Sequence, residues 1–130
     1  MVRTMVVAEV TYASTYPNRN YAPDLATLGP DLRKPGALSP EHAGLINETL
    51  GNESCTANAW CTKLGYRFRL AGVCKKQSCM EYVAVATPVD NNTGTRSFCS
   101  TSEGLIRYKV GTPLAESLSA AECKRWTALQ

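Results

Sequence analysis

Ala8-Glu9-Val10-Thr11-Tyr12-Ala13-Ser14-Thr15-Tyr16-Pro17 is the stretch on which the fold turns. With the residues before it, it reads two ways. Val2, Met5, Val6, Glu9, Tyr12 and Ala13 recur at the spacing of one helix face, whereas the β-branched residues of Val6-Val7-Ala8-Glu9-Val10-Thr11 also suit a strand. Neither glycine nor proline interrupts the segment until Tyr16-Pro17-Asn18 stops it. Periodicity leans toward a helix from Val2 to Ser14.

Outward from this segment, residues 17–40 are rich in proline, glycine and asparagine and read as an irregular connection, within which Leu25 and Leu28 can cover a hydrophobic face. A short helix is expected next. Ser39 suits its N-cap, Pro40 its first turn, Glu41 the positive end of its dipole and Gly51 its stop. Ala43, Ile46 and Leu50 would share its buried face, with Leu45 at the margin. The period then changes to that of strands. Tyr66, Phe68 and Leu70 alternate with Arg67 and Arg69, which predicts one buried and one wet face. Residues 80–86 are apolar on both faces and predict a central strand, and residues 96–99 and 105–108 predict two more around Ser102-Glu103-Gly104. Residues 114–130 are expected to hold a short helix ending near Trp126.

The chain of 130 residues suits one domain with one modest core. We divide it into an N-terminal helix (1–16), a connection with a short helix (17–60), an antiparallel sheet (61–110) and a C-terminal tail (111–130). A helix followed by antiparallel strands predicts an α+β fold, with the N-terminal α-helix packed on a three- to four-stranded sheet. Apolar residues at 44% and charged residues at 19% mark a globular chain rather than a disordered one. The net charge of +3 is small and its basic residues are scattered, so no nucleic-acid surface is evident.

Six cysteines, Cys55, Cys61, Cys74, Cys79, Cys99 and Cys123, point to an oxidising compartment. They contain no Cys-x-x-Cys pair, and one histidine accompanies them, so disulfides are favoured over a zinc site. Six cysteines permit fifteen pairings, among which sequence does not choose. Cys74 and Cys79 bracket a turn between two strands, Cys55 and Cys61 close a small loop around Trp60, and a link between Cys99 and Cys123 would fasten the tail to the sheet. Closing that last loop is worth about 3–4 kcal/mol in the chain-entropy model. The sequence shows no signal peptide and no apolar run long enough to cross a membrane. A disulfide-rich chain without an export signal leads us to expect that a leading segment was removed.

Residues suited to catalysis are sparse. His42 lies where solvated histidines are common, with no sequence sign of a group to orient it as a base, and the eleven acids form no recognisable pair. We expect no catalytic residue, no cofactor and no enzymatic activity. Asn47, Asn52 and Asn91 each begin an Asn-x-Ser/Thr triplet, which in a eukaryotic secreted protein would suggest glycosylation. Tyr12, Tyr16 and Tyr21 crowd the helix end, either to pack against neighbouring subunits or to cover the junction of helix and loop.

The opening stretch, running on to Tyr21-Ala22-Pro23-Asp24-Leu25-Ala26-Thr27-Leu28-Gly29, resembles a segment of bacterial type IV pilin-like proteins and type II secretion pseudopilins. Arg96-Ser97-Phe98 leading to Gly104-Leu105-Ile106-Arg107 is similar to a late hairpin of the same family. The resemblance implies helix for residues 2–14, as the lower part of a longer helix lying across an antiparallel sheet. It implies a structural fibre subunit whose upstream hydrophobic helix anchors it in the inner membrane and then packs against other copies and related pilins. The expected location is an extracellular fibre or the periplasm. It also implies a surface loop bounded by a C-terminal disulfide, a role that Cys99 and Cys123 fit by position. Major pseudopilins often bind calcium near the C-terminus, but Ser100-Thr101-Ser102-Glu103-Gly104 offers one carboxylate where calcium takes about six to eight oxygens, and Asp90-Asn91-Asn92-Thr93 is an ordinary turn former. No metal site is therefore expected. The alternative to a fibre subunit is a small secreted binding module scaffolded by its disulfides.

Overall fold

Strand alternation organises the molecule. In a computed structural model that describes residues 2–129, Phe68 and Leu70 of β2 (Tyr66–Lys75) stand opposite Ala86 and Ala84 of β3 (Ser78–Pro88). Ala86 in turn faces Phe98 of β4 (Arg96–Thr101), and Phe98 faces Tyr108 of β5 (Arg107–Val110). Since successive side chains point to opposite faces, this register gathers one apolar surface from four strands. Two short edges complete the sheet: β1 (Cys61–Lys63) beside β2, and β6 (Thr127–Ala128) beside β5. The strands lie in sequence order β1-β2-β3-β4-β5-β6, each antiparallel to the next.

This corrects the expected fold class. The sheet has six strands, not three or four, and with one helix of 14 residues and two of four residues the chain is mostly sheet. The added strands were short enough to leave no period. β1 has three residues and β6 two. β6 is drawn in by the Cys99–Cys123 disulfide and by the Leu129 N–H, which donates to the Ile106 carbonyl at 2.8 Å.

Helix α1 (Val2–Thr15) lies on the first sheet face and buries Val2, Met5, Ala8, Glu9 and Tyr12. Beside it sits α2 (Leu25–Leu28), capped by Asp24, whose Oδ1 accepts from the Thr27 N–H at 2.9 Å. Leu25 and Leu28 are fully buried in the same core as Phe68, Leu70 and Tyr82.

No helix forms over residues 39–51, contrary to expectation. Gly44 sits at φ +65, outside the helical region, and the segment's N–H groups bond across space. Those of Ala43 and Gly44 donate to the carbonyls of Thr27 and Gly29, and those of Leu45 and Ile46 to Leu28. Ala43 and Leu50 are still buried, so the apolar spacing served packing rather than a helix.

The face of β2 that carries Arg67 and Arg69 was expected to be wet, and this second face of the sheet is covered. Val83, Val85 and Cys99 pack there against Leu114, Leu118, Trp126 and Cys123 of the C-terminal segment, which includes α3 (Ala120–Cys123) with its Ser119/Glu122 capping box. Arg67 and Arg69 lie half-buried beneath Trp60, their guanidinium carbons 4.7 and 5.9 Å from its ring centre. Arg67 donates to the Leu114 carbonyl, and Arg69 Nε to the Ala57 carbonyl at 2.7 Å.

Candidate functional site

All six cysteines are joined, as Cys55–Cys61, Cys74–Cys79 and Cys99–Cys123. Cys74 and Cys79 face each other across the β2–β3 ladder, next to a bulge at Val73/Cys74. Three covalent ties in so short a chain fit an oxidising compartment, extracellular or periplasmic. Among the described residues no helix is long and apolar enough to cross a membrane.

One apolar surface open to a partner is the outer side of α1. Its inner side meets the sheet, while Val7 and Val10 stand outward at 59% and 55% exposure. Arg3, Thr4, Ala8, Thr11 and Leu45 surround Val7 in a shallow groove. Residues three apart on a helix are neighbours, so the two valines form one patch. Of the tyrosines at the helix end, Tyr12 is buried and its hydroxyl donates to the Pro40 carbonyl at 2.7 Å. Tyr16 and Tyr21 are half-buried, their rings tilted against Tyr12 and edge-on to Tyr82, respectively, with centres 5.0 Å apart. They cover the junction.

Glu9 carries the most perturbed carboxyl. It is wholly buried; its Oε1 accepts from the Ala22 N–H at 2.7 Å, and its Oε2 meets no partner among the described residues. Burial pushes its pKa up from 4.5 to about 8; the Ala22 bond opposes this and the nearby Asp24 carboxylate adds to it. The Tyr82 hydroxyl is likewise raised, first by burial and then by Glu9. Sequence reading placed Glu9 on the helix's inner face without marking it as ionisable in the core.

The other candidates stay apart. The His42 N–H joins a small bridge with Ser39, and among the described residues its ring makes no hydrogen bond. Asn47 and Asn52 flank one surface turn, in which Asn52 Nδ2 donates to the Glu48 carbonyl at 3.0 Å, and Asn91 lies in another. Asp90 closes its own turn, accepting from the backbone of Asn92 and Thr93. Near residues 100–104, Glu81 is the organiser. Its Oε1 accepts from the N–H groups of Ser102 and Tyr82, and Lys124 Nζ lies 3.2 Å from Oε2. Among the described residues no group of three or more His, Cys, Asp or Glu side chains could hold a metal ion.

No family model matches the chain, and neither a curated protein nor a solved structure does.

Proposed function

We propose that this chain is the head of a structural fibre subunit of the type IV pilin-like kind, polymerising with copies of itself through a helix that continues upstream of residue 1. The observation that carries the reading is the unpartnered apolar pair Val7 and Val10 on the outer side of α1, a helix held to the head by its opposite side. Burying such a patch between subunits favours association, since apolar surface leaves water. The three disulfides suit a head exposed outside the cell. In this reading the subunit is membrane-anchored before assembly and catalyses no reaction.

Val7→Asp with Val10→Asp in the full-length native protein tests it. Both sites are exposed, so the melting temperature of the head should stay put while sedimentable fibres disappear. Fibres that form equally well without the two valines would overturn the proposal. So would a native protein that begins with an ordinary cleaved signal peptide and stays monomeric; that outcome favours the secreted binding module.

A further inference from the structure

Between the N-terminal end of α1 and the sheet lies an open cavity of about 400 Å³. Its walls are Val2, Phe68, Ala86, Phe98 and Ile106, with Tyr66 beside them. A volume of this size falls within the range of small-ligand sites, roughly 300–1,000 Å³, and such sites are mostly apolar with a few placed polar groups. The polar groups here share one sign. Arg3 and Lys63 line the cavity, no acidic residue does, and neither cation belongs to an ion pair among the described residues.

The rim carries a second, independent signal. Lys63-Leu64-Gly65-Tyr66 is the β1–β2 hairpin, and Leu64 and Gly65 have φ of 53 and 83. Two successive left-handed residues call for Asn-Gly or Asp-Gly, because a Cβ is penalised there and an asparagine tolerates it. Here the first is a leucine, 84% exposed and outside the core. Leu64 therefore stabilises neither its turn nor the interior, and it stands at the mouth of an apolar cavity beside a lysine. Strain held at an exposed position, without a packing return, marks a place shaped for something else.

We propose that this cavity binds the chain of a single-tailed anionic amphiphile, taken up as a monomer, with Leu64 closing over the tail and Arg3 and Lys63 meeting a carboxylate or phosphate head. Apolar walls favour the tail, and an all-cationic lining selects the sign of the head. The site shares Arg3 with the groove around Val7 but is argued from none of the fibre reading's observations.

Titration calorimetry of the whole chain with dodecanoate, below its micellar concentration, tests the proposal. The control is dodecyltrimethylammonium, which pairs the same tail with the opposite charge. One dodecanoate should bind per chain, at least about tenfold more tightly than the cation, since each tenfold is about 1.4 kcal/mol of charge discrimination. Arg3→Glu with Lys63→Glu should reverse that preference. Leu64→Asn should weaken dodecanoate by about tenfold, as expected when a buried leucine contact is lost. The same change should raise the melting temperature, because asparagine suits the left-handed turn. Equal binding of both amphiphiles would overturn the proposal, as would a Leu64→Asn protein that loses stability and binding together. Two other results would also sink it: binding to anionic vesicles but not to monomeric dodecanoate, which assigns the surface to a bilayer, and concentration-dependent self-association through the cavity, which assigns it to a second copy.

Discussion

Replacing Glu9 by glutamine should change the way stability depends on pH. The carboxyl is held at about 8 in the folded chain against an ordinary 4.5. At 1.36 kcal/mol per pH unit this difference is worth about 5 kcal/mol. The sign follows from which state holds the proton. Below 4.5 the folded and the unfolded chain both carry it, and Glu9 exacts no ionisation penalty. Between 4.5 and about 8 the unfolded chain releases the proton while the folded chain keeps it, so stability falls as pH rises. Above about 8 both states are ionised and the loss is complete. At neutral pH the deficit is already about 3 kcal/mol, a sizeable part of the 5–15 kcal/mol that holds a typical domain together. Glutamine keeps an oxygen for the Ala22 N–H and cannot ionise. In urea unfolding with disulfides intact, the advantage of Glu9→Gln over the parent should therefore widen by about 2.5 kcal/mol between about pH 5 and pH 7. Parallel pH curves for the two proteins would refute the assignment of the titration to Glu9.

Two further perturbations probe the frame around the site. A Cβ built on Gly29 would lie 1.8 Å from the Gly51 carbonyl oxygen, so Gly29→Ala must push two backbones apart; thermal melting should show a loss of about 3 kcal/mol, and an unchanged midpoint would refute the close approach. Cys99→Ser with Cys123→Ser should cost about 3–4 kcal/mol by the chain-entropy argument, and amide exchange should speed up selectively over residues 114–126.

Legibility in the sequence tracked the length and regularity of each element. Residues 80–86 read as a central strand because they are apolar on both faces, and β3 lies inside the sheet with both faces covered. α1 spans Val2–Thr15 where periodicity and resemblance expected a helix to Ser14. Residues 39–51 misled because capping residues and spaced apolar residues also suit a segment that bonds to Thr27, Leu28 and Gly29, and Gly44 was the overlooked dissent. Arg67 and Arg69 looked wet because charge on alternate positions normally means solvent; Trp60 and the C-terminal segment cover them, and only the tertiary fold brings those pieces over the strand. The cavity by α1 was illegible since its walls come from α1 and four strands, yet Lys63-Leu64-Gly65 held a clue in a leucine where a tight hairpin asks for asparagine.

The two ends of the sheet carry their own consequence. β1 offers three residues of open backbone and β6 only two, and the first is tethered through Cys61 to Cys55. A free strand margin is the usual template on which secreted β-rich chains clump, and stubs this brief give an incoming strand almost nothing to zip along. Crowded copies of this molecule gain little by stacking ladder upon ladder at β1 or β6. Edges this short favour association through side chains, where recognition can be selective and reversible.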